Sequence, residues 1–246
     1  MFQNTQPCEI GYCLADPAGG FAFQPPRTVF SQREKPPGLR SIQNCPAVNA
    51  LERQMVEMPS PIGIRITLTE EAGQPTVNVN PTGTFVQPEA IGEMLAMEPP
   101  DRWRHPKKPL MKLKLPFFFV TDVACVVSQI PPFLGLEMRR WPGTMVATRY
   151  PLTYWPQSLT WMLEWDQPEG ELSLKQGEPL CYFLFEFNRP EMRPSLTEAA
   201  LTPELDEFRQ GMEGLDHLTP DIEDVVEMAK SRRPARLMFP LSEYEG

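Results

Sequence analysis

Proline recurs so often in this chain, 30 times in 246 residues, that neither a long helix nor a long sheet strand can run through it uninterrupted. The ring fixes φ and removes a backbone donor, so it breaks helix interiors and sheet ladders alike. Regular elements must therefore be short and connections plentiful. At more than twice the average usage of about 5 per cent, proline could also leave a chain unfolded. Hydrophobic residues at 41 per cent and five tryptophans argue for a folded core instead.

Alternation locates that core. Leu159, Trp161, Leu163 and Trp165 alternate with Thr160, Met162, Glu164 and Asp166, the period-two signature of a strand with one buried face. A turn leads to a second arm at Glu171 to Lys175, broken by Gln176-Gly-Glu-Pro179. Beyond the break, Leu180 to Phe187 is apolar on both faces, as expected of a central strand covered on each side. Ile62, Ile64, Ile66 and Leu68 mark another strand, and Thr76 to Val79 is its hairpin partner across the turn Glu70 to Gly73. Phe117 to Val120, Val123 to Val127 and Thr144 to Thr148 supply further strands.

The pattern predicts a mainly β protein, either a barrel or a two-sheet sandwich, with a Pro-rich N-terminal arm and a short C-terminal helical appendage. Residues 1–41 form the arm, laid over the domain or a neighbouring subunit, with one short strand near Thr28 to Phe30. Residues 42–190 form the β-rich core domain and residues 191–246 the appendage. Short helices are expected within Cys45 to Met55 and Pro88 to Met97. Thr202-Pro203 and Thr219-Pro220 each place a capping threonine before a proline, predicting helices over Pro203 to Met212 and Pro220 to Ser231. The apolar run Leu237 to Leu241 should tuck onto the domain or a neighbour.

A net charge of −9 disfavours a non-specific nucleic-acid binder, which needs local Lys and Arg. Arg102 to Lys114 is the one exception, with six Lys or Arg, His105, Trp103 and no carboxylate. Such a stretch could grip a phosphate or a single strand of nucleic acid. The preferred reading is an edge strand guarded by lysine, because Met111, Leu113 and Leu115 alternate with Lys112 and Lys114. Five cysteines without a Cys-x-x-Cys pair fit a reducing, cytoplasmic setting. Neither a signal peptide nor a membrane span is expected, since the longest apolar run, Leu115 to Val127, is interrupted by Pro116, Thr121 and Asp122.

Tyr150-Pro-Leu, Trp161-Met-Leu-Glu-Trp165, Lys175-Gln-Gly-Glu-Pro-Leu-Cys-Tyr-Phe183 and Leu201-Thr-Pro-Glu-Leu205 together resemble a group of bacterial and marine-phage proteins to which no activity is attached. Cys45-Pro-Ala is similar to an upstream signature of its phage members. The likeness spans roughly half the chain and implies a β-rich fold of bacterial or phage origin.

Few catalytic chemistries are open. His105 and His217 are the only histidines, and neither begins a His-x-Asp or His-x-x-x-His arrangement, which disfavours zincin and two-His-one-carboxylate iron sites. No Gly-x-Ser-x-Gly, Gly-x-Gly-x-x-Gly or P-loop occurs. No cofactor or metal is therefore expected. A strand, Gly-containing turn and strand like Leu172 to Glu186 also resembles part of the trimeric barrels of dUTPases and dCTP deaminases, although the Gly-rich phosphate-binding tail of dUTPases is missing. The candidate carboxylate site is Glu164, Asp166 and Glu186, because paired carboxylates can divide acid from base work. Two functions are weighed. The first is a non-enzymatic binding or structural protein, cytoplasmic or phage-associated, that meets a protein partner or itself, with Trp141, Tyr154 and Trp155 as contact residues. The second is a small-molecule enzyme, nucleotide-directed, using the strand carboxylates; it predicts a pocket where they converge with Arg149 or Lys175.

Overall fold

Residues that alternate in the sequence run extended in the folded chain. The structure, a computed structural model, describes residues 6–15, 23–29, 44–71, 74–83, 88–134, 141–167, 169–214, 219 and 221–244. In chain order the first strands are β1 (Gln6–Leu14), β2 (Arg27–Thr28), β3 (Met55–Pro59), β4 (Ile64–Glu71), β5 (Gln74–Pro81), β6 (Leu95–Met97), β7 (Leu110–Lys114) and β8 (Phe117–Val120). They are followed by β9 (Cys125–Ile130), β10 (Gly143–Met145), β11 (Thr148–Pro151), β12 (Thr160–Trp165), β13 (Gly170–Leu174), β14 (Pro179–Phe187) and β15 (Met192–Glu198). The helices are α1 (Pro46–Glu52), α2 (Pro88–Met94), α3 (Pro203–Met212), α4 (Ile222–Lys230) and α5 (Leu241–Tyr244).

These strands make four open sheets, ordered β11-β9-β14-β3-β2, β10-β12-β7-β6, β15-β1-β8 and β13-β4-β5. Of the two architectures expected, the packed-sheet one is found, and among the described residues no sheet closes into a barrel. As its two-sided apolar sequence requires, β14 is the middle strand of the largest sheet, paired with β3 and β9. Trp161, Leu163 and Trp165 on one face of β12 join Ile64, Ile66, Leu68, Phe119, Phe183 and Phe185 in the principal core. Edge-to-face ring pairs order it, with Phe119 5.1 Å from Phe183 and 5.3 Å from Phe185. The two arms of the 159–187 stretch do not pair with each other. β12 lies between β10 and β7, whereas β13 pairs with β4.

Two expectations are corrected. The lysine-guarded β7 is not an edge, for it lies between β12 and β6. A cation is tolerated there because its face is solvated and Lys112 Nζ lies 3.0 Å from a Glu98 carboxylate oxygen. Within the surface arm, Gln6–Leu14 is the middle strand of a sheet, parallel to β15 and antiparallel to β8. Gly11 makes that approach possible, since a Cβ there would sit 2.7 Å from Val120 and 2.8 Å from Ala199. Of the strand expected near Thr28 to Phe30, Arg27–Thr28 forms β2, and Phe30 lies outside the described residues.

The C-terminal helices cover a second core of Cys13, Phe118, Val120, Leu205, Phe208, Met212, Val225, Leu237 and Met238. Thr202 caps α3, its hydroxyl accepting from the Leu205 N–H at 3.2 Å. Helix α4 starts two residues later than its sequence suggests, with Asp221 at the N-cap, and Thr219 bonds the Asp221 N–H instead of capping the helix. The tail does tuck onto the domain. Asp122 accepts from the Leu237 and Met238 N–H groups and from Arg233, and the Ala200 N–H donates to the Phe239 carbonyl. Among the described residues no helix is long and apolar enough to cross a membrane.

Candidate functional site

Because strand side chains alternate, Trp161, Leu163 and Trp165 enter the core while Thr160, Met162, Glu164 and Asp166 share the opposite face. Directly across the ladder Met162 faces Lys112, and Glu164 faces Leu110. The turn structure preceding β7 then lays its bases on these acids. Arg104 grips Glu164 with two N–H groups, Nε at 2.9 Å and Nη2 on the second oxygen. This is the planar fork that suits a carboxylate. Lys108 Nζ lies 2.6 Å from Asp166, whose other oxygen accepts from the Thr144 hydroxyl at 3.3 Å. Glu98 holds Arg102 and Lys112 together. The basic stretch is thus largely neutralised by acids of its own chain.

The pKa directions follow. The hydrogen bond from Arg104 holds the Glu164 carboxyl below its ordinary value despite burial, with Lys108 helping and Asp166 opposing. The hydrogen bond from Lys108 does the same for Asp166. Acid–base division needs neighbouring groups pushed in opposite directions, and these two are pushed the same way. Glu164 and Asp166 are brought together; Glu186 is not among them. It stands on β14, in another sheet, and its carboxylate pairs with Arg149 of β11.

A cleft of about 350 Å³ opens between β11 and β12. Arg149 lines it, as the enzymatic reading expects, but Lys175 and the three carboxylates do not. Its other walls include Lys112, Gln129, Tyr150, Trp155 and Met162. Sequence reasoning missed this grouping. Its one visible signal was the pairing of aromatic Tyr150 and Trp155 around Pro151. Among the described residues no group of three or more His, Cys, Asp or Glu side chains is placed to hold a metal ion.

The three aromatic contact candidates each pack within the chain. Trp141 lies edge-on to Trp161, ring centroids 5.3 Å apart. Tyr154 and Trp155 rest half-buried on the second core, and Trp155 also meets Tyr150 at 6.1 Å. Apolar exposure is found elsewhere. Phe133 and Leu134, just past β9, are 45% and 46% exposed. No protein-family model, curated protein or solved structure matches this chain.

Proposed function

We propose that this protein acts by binding and not by catalysis, as a cytoplasmic or phage-associated structural protein that works through protein–protein contacts. The observation that carries this reading is that each candidate catalytic carboxylate already has its own cation: Arg104 for Glu164, Lys108 for Asp166 and Arg149 for Glu186. Such pairing holds Glu164 and Asp166 below the ordinary carboxyl range, as anions unsuited to exchanging a proton at neutral pH, and leaves Glu186 in an ion pair on another sheet. All five cysteines are unpaired and four are buried, which suits a reducing setting.

The contact surface this reading uses is the outer face of the five-stranded sheet. There Phe133 stacks edge-on to Tyr182, centroids 5.7 Å apart, beside half-buried Ile130 and Leu184. The exposed part of this face is the adjacent pair Phe133 and Leu134, set against a largely buried cluster, and paired exposed apolar residues of this kind are candidates for an interaction site. The first partner to test is a second copy of the chain. Native mass spectrometry with size-exclusion chromatography reads both subunit number and any retained ligand. A defined oligomer that the double variant Phe133→Asp, Leu134→Asp dissociates supports the reading. A monomer carrying a turned-over metabolite refutes it.

A further inference from the structure

Two strands that begin as neighbours separate in this fold and leave a lined space between them. The Val146 N–H donates to the Met162 carbonyl at 3.0 Å, the last link between this segment and β12. From there β11 pairs with β9, while β12 continues beside β7. The connection between them closes the base of the wedge, where the Trp155 N–H donates to the Pro151 carbonyl at 3.1 Å and Leu159 bonds Leu115 and Phe117. The cleft of about 350 Å³ that results is near the small end of ligand pockets, about 300–1,000 Å³. It suits a single-ring molecule, not a dinucleotide.

Its lining is one-sided in charge. Lys112 and Arg149 contribute cations, and no Asp or Glu lines the space, in a chain with 32 acids and 23 bases. The partners of these cations stand outside the cleft, Glu98 at 3.0 Å from Lys112 and Glu186 on Arg149. Those ion pairs orient the two heads without exhausting them, because an ammonium has three donors and a guanidinium five. Among the described residues, Arg149 uses Nη1 alone, on Glu186 and the Ser128 hydroxyl.

Aromatic side chains complete the lining. Tyr150 and Trp155 present ring surface to the cleft, while the Tyr150 hydroxyl and the Trp155 indole N–H are buried away from solvent, the hydroxyl near Cys181 and Cys125. Leu159, Met162 and the edge-to-face Tyr150–Trp155 pair supply an apolar wall beside the cations. The net charge of −9 repels polyanions at long range, which favours a small anion over a nucleic acid.

We propose that the cleft between β11 and β12 binds a small oxyanion, a carboxylate or phosphate attached to a planar ring, with Arg149 and Lys112 holding the anion and the ring lying against Trp155 and Met162. Isothermal titration and tryptophan fluorescence with phenyl phosphate, benzoate, inorganic phosphate and phenol test it. Phenyl phosphate or benzoate should saturate with a Kd in the range of about 1 μM to 1 mM, and which one binds tighter names the oxyanion. Phenol and inorganic phosphate should each bind at least about tenfold more weakly, because each lacks one half of the ligand.

Arg149→Gln and Lys112→Gln should each weaken binding about tenfold or more, and Arg149→Gln should do so with an unchanged melting temperature because its ion pair with Glu186 is solvent-exposed. No saturable binding of either ring oxyanion by about 10 mM overturns the proposal. So does binding that survives both charge substitutions together. Inorganic phosphate binding as tightly as phenyl phosphate overturns the role of the aromatic wall. The Phe133, Leu134 double variant should bind these probes as the wild type does.

Discussion

Replacing Asp122 with alanine should release the C-terminal tail. Its carboxylate accepts from the Leu237 N–H at 2.8 Å, the Met238 N–H at 3.2 Å and Arg233 Nη2 at 2.9 Å. Alanine leaves two backbone donors without a partner, each costing about 1–3 kcal/mol where water cannot replace it. The Asp122 side chain is 33% exposed, so water recovers part of that cost and the Arg233 ion pair adds about 1 kcal/mol at most. A net loosening of about 2–4 kcal/mol remains. Because Leu237 and Met238 are buried in the second core and the Ala200 N–H depends on Phe239, the loss should appear as cooperative opening of this segment. Hydrogen exchange read amide by amide should speed up by about 30- to 1,000-fold at Leu237, Met238 and Ala200, with strands β3 and β14 unaffected. Asp122→Asn keeps one acceptor and should fall between the two. Unchanged exchange at those amides in Asp122→Ala would refute the role given to this carboxylate.

Stability should fall in acid through Glu164. Its folded-state acid is stronger than its unfolded one, so the stabilisation is present above the ordinary carboxyl value of about 4.3 and is lost as pH falls through the lower folded value. Urea midpoints measured from neutral pH downward should drop less steeply in Glu164→Gln than in the wild type; equal slopes would contradict the Arg104 pairing. Trp161→Ala should cost about 3–5 kcal/mol in chemical denaturation, since the ring is fully buried against Trp141. Trp161→Phe should cost less than its lost area suggests, because it also removes an unpartnered indole N–H. Among the cysteines, Cys45 should react first with a thiol reagent at neutral pH. Backbone N–H groups of Val48 and Ala47 lower its pKa, whereas burial pushes Cys13, Cys125 and Cys181 up to about 12. Mass mapping after brief alkylation checks the order, and earlier labelling of Cys13 or Cys181 would contradict it.

The difference between what could be read from the chain and what could not is a difference in the range of the forces involved. Alternation in β12 and β4, the two-sided apolar run of β14 and the Thr202 cap all act within a few residues, and each is visible as a local pattern. Strand β1 is different. Its place depends on β15, whose Met192 faces Gln6, and on a glycine that lets Val120 and Ala199 approach, so nothing near Gln6 announces it. The charges show the same limit more sharply. Glu164 and Asp166 were legible as two carboxylates on one face, which is equally the pattern of an acid–base pair and of a salt-bridged surface. Arg104 and Lys108 decide between these, and they stand 60 and 58 residues away along the chain. Where a carboxylate is satisfied by a base that topology delivers, its chemistry is set by sheet order and not by its neighbours in sequence. The same topology separates β11 from β12 and gathers Lys112, Arg149 and Trp155 around one cleft. The residues singled out for catalysis, Glu164, Asp166 and Glu186, and those that line the cleft are therefore different sets.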